Sequence, residues 1–122
     1  MVKDRFNEYY TELYKALKVD WPTLEKSTKL TDVPAKYPSM YVRQIGGSAK
    51  VDTLSGTNEI RDIAIEVQFV AKKQSEVRKL ADAATEFMTE TLFFMLRDSH
   101  PEENIDSKDT YRYICRFSKL YA

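Results

Sequence analysis

Val2, Phe6, Tyr9, Tyr10, Leu13, Tyr14 and Leu17 recur at steps of three and four, the spacing of a single stripe on a helix. Lys3, Asp4, Asn7, Glu8, Glu12 and Lys15 or Lys18 fall on the opposite side. The pattern predicts a helix over 2–18, stopped by Trp21-Pro22, with Trp21 anchoring the exit. From Thr23 to Ser39 no period dominates, and Pro34 and Pro38 keep the preceding residues extended. At most one short edge strand is expected there. Met40-Tyr41-Val42-Arg43-Gln44-Ile45 is rich in β-formers and runs into Gly46-Gly47, which reads as a strand, a turn and then a long loop. Between Ile60 and Phe69 the period becomes two, with Ile63, Ile65, Val67 and Phe69 alternating against Asp62, Ala64, Glu66 and Gln68. That alternation marks a strand with one buried face.

Ser75 is placed to cap a helix with Glu76 in its first turn, and Val77, Leu80, Ala81, Ala84, Phe87, Met88, Thr91, Leu92 and Met95 carry helical spacing as far as Arg97. Asp98 to Asp109 is polar, contains Pro101 and reads as a loop. A last strand starts near Thr110, where Tyr111, Tyr113, Cys115 and Phe117 alternate with Arg112, Ile114, Arg116 and Ser118. No internal repeat interrupts this order. The expected fold is α+β: an N-terminal helix, a small antiparallel or mixed sheet of three or four strands, a long second helix packed on the same sheet face, and a C-terminal strand.

With 122 residues, an ordinary apolar fraction and few Gly or Pro, the chain reads as a single domain over 1–122 that builds its own core. Nineteen basic residues balance nineteen acidic ones, so no overall field draws the molecule to nucleic acid or an anionic membrane. The longest apolar run, Leu92 to Leu96, is far short of the roughly 20 residues of a membrane span. Met1-Val2-Lys3-Asp4-Arg5 leads into no apolar segment and is not read as a signal peptide. Cytoplasmic synthesis is expected, and the single Cys115 fits a reducing compartment.

Candidate chemistry is sparse. His100, the only histidine, reads as an exposed loop residue; a metal set of His100, Glu102 and Glu103 lacks a ligand from a second segment. Cys115 falls on the apolar side of its strand and reads as a core residue. Gly46, Gly47 and Gly56 form no phosphate-cradling loop, since no strand-glycine-helix unit follows. Arginines beside tyrosines near the C-terminus suggest stacking on single-stranded nucleic acid, but alternation puts Tyr111, Tyr113 and Phe117 opposite Arg112 and Arg116. No cofactor and no sequence-specific nucleic acid are expected. Arg61, Asp62, Glu66, Lys72 and Lys73 read as a solvated strand face and its exit, or else a subunit interface. Phe93 and Leu96 widen the second helix's apolar face beyond one stripe, as a partner surface does.

The order of segments resembles the tail-terminator, or tail-completion, proteins that join head and tail in siphophages and prophages of Gram-positive bacteria. The resemblance rests on Tyr37-Pro38-Ser39-Met40-Tyr41-Val42, Ile63 to Phe69 leading to Ala71-Lys72-Lys73, Val77-Arg78-Lys79-Leu80-Ala81-Asp82-Ala83, and Asn104-Ile105-Asp106 followed by Tyr111 to Phe117. The stretch Leu30 to Lys36 matches no part of it. The resemblance implies a non-enzymatic virion subunit that closes into a ring, commonly of six copies, caps the tail tube and offers a surface to the head-completion or connector protein. By that reading Lys50, Val51 and Leu54 in the first loop, with Glu102 and Glu103 in the second, are the interface candidates. The alternative is a monomeric module that binds a small ligand or a protein; an enzyme is the third reading.

Overall fold

The N-terminal stripe becomes α1, Phe6–Asp20, in the computed structural model of the protein, which describes residues 5–27, 37–51, 59–102 and 110–121, backbone only at 47–51, 59–61 and 121. Val2, Lys3 and Asp4 of the expected helix lie outside the described residues. α1 buries Tyr9, Leu13 and Leu17, with Phe6, Tyr10 and Tyr14 packed at the margin of the core. Trp21 closes the helix by donating its backbone N–H to the Leu17 carbonyl at 3.0 Å. The Tyr14 hydroxyl then donates to the Leu24 carbonyl at 2.8 Å, so Leu24 is drawn fully into the core.

Next comes β1, Glu25–Ser27, the expected short edge strand, which pairs in parallel with the start of β2, Ser39–Val51. Leu30 to Lys36 lies outside the described residues. β2 does not turn at Gly46-Gly47. The chain makes a bulge there, with Ile45 as the extra residue between Gln44 and Gly46, and pairing continues to Val51. A glycine inside a strand marks a bulge as readily as a turn, and the sequence pattern does not separate the two. β3, Glu59–Ala71, pairs antiparallel with β2 and sends Ile63, Ile65, Val67, Phe69 and Ala71 into the core.

α2, Gln74–Glu86, starts one position before the expected cap: Lys73 is the flanking residue, Ser75 sits inside the first turn, and no side chain caps the end. Val77, Leu80, Ala81 and Ala84 are its buried stripe. The expectation of a helix to Arg97 is corrected here. After Glu86 the coil widens into a π turn, Phe87–Thr91, in which Leu92 N–H donates to Phe87 O at 3.2 Å and Phe94 N–H to Met88 O at 2.8 Å. Phe93 takes the left-handed conformation at φ 61° and ends the helix. That place usually belongs to Gly or Asn, so the stop signal is missing from the sequence.

Beyond the turn lies an element expected as loop: β4, Met95–Glu102, an antiparallel edge strand on β5, Tyr111–Tyr121. All of β4 is exposed or half-buried, so it has no apolar alternation to betray it. It makes the sheet five-stranded, in the order β1-β2-β3-β5-β4. β5 is antiparallel to both β3 and β4, which makes β3-α2-β4 a crossover split by β5. The fold is α+β with a mixed sheet. α2 lies on β3 and β5, and α1 packs against α2 and the π turn, so both helices share one apolar face. No helix among the described residues is long and apolar enough to cross a membrane.

Candidate partner surfaces

The sheet face turned away from the helices carries a polar ladder that runs across four strands. Glu66 at its centre is 1% exposed. Its carboxylate accepts from Arg43 of β2 at 2.6 Å, from Gln68 at 2.9 Å and from Arg116 of β5 at 2.9 Å. Arg112, buried on β5, donates to Gln68 at 2.7 Å. Arg116 reaches on to Asp98 of the edge strand at 3.1 Å, and His100 Nδ1 lies 3.1 Å from the same carboxylate oxygen. Burial alone pushes the Glu66 carboxyl up, but the hydrogen bonds from Arg43, Gln68 and Arg116 outweigh it and hold the group below its ordinary value. Glu66, expected as part of a solvated strand face, is instead the buried tie of that face. The even-numbered positions of β3 are polar, but alternation cannot say whether a polar face is wet.

At one end of the sheet the chain leaves large apolar side chains in water. Phe93 is 74% exposed, Leu120 60%, Met95 59% and Leu96 39%. Leu92 and Phe94, on either side of Phe93, are buried, and the Tyr9 and Phe94 rings meet edge to face at 5.0 Å. The left-handed turn at Phe93 is what throws its ring outward while its neighbours point in. Lys119 stands behind the patch: its Nζ donates to the Leu92 carbonyl at 2.6 Å and lies 5.1 Å from the Tyr9 ring centre, 5.6 Å from Phe94 and 6.0 Å from Phe93. Burial, then Arg5, hold its ammonium below the ordinary lysine value, against Glu12 and Glu8. Arg97, the extra residue of a bulge between Leu96 and Asp98, donates to Ser118 Oγ at 2.6 Å. Phe93, Met95, Leu120, Arg97 and Lys119 border an open groove of about 310 Å³, with Asp62 at its edge.

A second groove, of about 240 Å³, opens between the end of α1 and the π turn. Its floor is Ala16, Leu17, Trp21, Ala83 and Phe87, its rim Asp20, Glu86, Glu90 and Thr91, and none of these residues is basic.

The interface candidates fall apart from one another. Lys50 and Val51, expected in a loop, close β2 opposite Ile60 and Glu59. Glu102 is exposed at the end of β4, opposite Arg112, which pairs with Val70. Ile60 and Val70 stand some 33 Å apart along β3 at about 3.3 Å per residue, so the two sets mark opposite ends of the sheet. Leu54 and Glu103 lie outside the described residues. His100, expected in a loop, belongs to β4 and is half-buried. Cys115 is fully buried, 3.7 Å from Ser99 Oγ, and burial pushes its thiol up. Among the described residues no three His, Cys, Asp or Glu converge as a metal site. The Phe93 patch was partly legible, since Phe93 and Leu96 overfill one helical stripe; the groove was not, because Trp21 and Phe87 are joined only by packing.

No protein-family model matches the chain, and no curated protein matches it.

Proposed function

We propose that the protein is a non-enzymatic virion subunit, a tail terminator that closes into a ring, caps the tail tube and meets the head connector. The observation that carries the reading is the exposed patch of Phe93, Met95 and Leu120 beside an edge strand. An apolar cluster held in water by a structured turn fits a surface that is covered in the working assembly. The polar groups support the same reading, since Glu66, Gln68, Arg43, Arg112 and Arg116 are spent on one another across the sheet. The resemblance in segment order supplies the identity of the assembly. In it the self-contacts build the ring, and the tail-tube protein and the connector are the axial partners.

The test uses purified tail tubes. Added protein is expected to bind one end of each tube as a ring visible by negative-stain electron microscopy, and to stop further addition of tube subunits. Tubes that keep growing in a molar excess of the protein, with bare ends, would refute the reading.

A further inference from the structure

We propose that the Phe93 patch of one copy seats in the acidic groove between α1 and the π turn of a second copy, so that copies associate head to tail. This rests on the ring reading above and names the surfaces that build it. The two surfaces are unlike, which is what a heterologous contact requires. Asp20, Glu86 and Glu90 rim the groove without a base among its lining residues, whereas the two bases Arg97 and Lys119 outweigh the one acid, Asp62, beside Phe93 and Met95. At about 240 Å³ the groove is smaller than the roughly 300–1,000 Å³ of small-ligand pockets and fits a large side chain against Trp21 and Phe87.

The backbone points the same way. A phenylalanine at φ 61° is held in a conformation that glycine adopts freely, and the residue is 74% exposed, so the fold gains little from it. Strain kept at an exposed aromatic marks a residue used outside its own chain. Pairing through the β4 edge is the competing route to self-association, and the edge opposes it: Pro101 lacks an N–H, Arg97 forms a bulge, and Arg97 and Asp98 are charged. The contact therefore runs through side chains projecting from the end of the sheet.

The test reads self-association of the full chain by sedimentation velocity over a wide concentration range. The wild type is expected to form assemblies larger than a dimer. Phe93→Ser should weaken association about thirtyfold or more, the size of an interface hot spot. Glu86→Lys with Glu90→Lys, and separately Arg97→Glu, should each abolish it. Mixing these two charge-reversed variants should restore association, the wild-type patch of one meeting the wild-type groove of the other and the two reversed surfaces meeting in turn, in assemblies that alternate the variants and grow past a dimer. Circular dichroism and thermal melts of each variant show that the loss is not unfolding. A wild type that stays monomeric or stops at a dimer, an unchanged assembly of Phe93→Ser, or folded variants that fail to complement would each overturn the contact. Failure here leaves tube capping to its own assay. Conversely, intact complementation with no tube binding would sink the tail-terminator reading and keep the contact.

Discussion

Replacing Phe93 by Gly and by Ala separates the observed π turn from a helix that continues to Arg97. Both substitutions remove the same exposed ring and the same contact with Lys119 at 6.0 Å, so those losses cancel in the comparison. At φ 61° the alanine keeps the left-handed penalty of about 1–2 kcal/mol for a residue with a Cβ, which glycine escapes. Glycine gives back about 0.4–1 kcal/mol through the greater freedom of its unfolded chain. The difference leaves Phe93→Gly more stable than Phe93→Ala by about 0.5–1 kcal/mol, or a few degrees in Tm for a domain of this size. In a regular helix the order is the reverse, with glycine about 1 kcal/mol worse than alanine. Urea unfolding followed by circular dichroism reads the difference as a shift in midpoint at constant slope. An alanine variant equal to or more stable than the glycine variant would refute the role assigned to Phe93. The glycine variant, though more stable than the alanine one, should also fail to self-associate, since it lacks the ring that makes the contact.

Glu66→Gln should cost about 1–3 kcal/mol, because charged hydrogen bonds are lost at a buried site while Arg43 and Arg116 still reach water. Since the folded protein holds the Glu66 carboxyl below its unfolded value, its stabilisation is complete above about pH 4.3 and fades as pH falls through the lower folded value. Denaturation midpoints followed into acid should fall in the wild type, and a part of that fall should be missing in Glu66→Gln; parallel curves would contradict the ladder. Phe117→Ala, which empties a fully buried site between β5 and the helices, should cost about 3–5 kcal/mol by chemical denaturation. Cys115 should resist a thiol reagent in the native protein and react on unfolding, because it is fully buried and its thiolate is disfavoured. Rapid native labelling would show that the strand pairing around it opens.

Local periodicity was enough for the parts of the fold that bury one face. The stripe Tyr9, Leu13 and Leu17 and the alternation Ile63, Ile65, Val67 and Phe69 became α1 and β3 as their spacing requires. Two other features were hidden for physical reasons. Helical spacing ran on through Leu92 and Met95 because a phenylalanine occupies the left-handed stop, and a side chain there gives no compositional sign of the conformation. β4 lies at the sheet edge with neither face buried, so hydrogen bonding to β5 makes it a strand while its residues show no period.

The surfaces divide in the same way. Glu66 looked like any charge on an exposed strand face until Arg43, 23 positions earlier, and Arg116, 50 positions later, were brought to its carboxylate. The outward ring of Phe93 depends on the left-handed turn that ends the helix, and the groove of Trp21, Phe87, Asp20, Glu86 and Glu90 on where α1 meets the π turn. Which residues want to leave water is written in each short window of the chain. Which polar groups find partners, and which apolar ones are left without cover, depends on contacts between segments far apart in sequence, and those exist once the sheet and helices have closed.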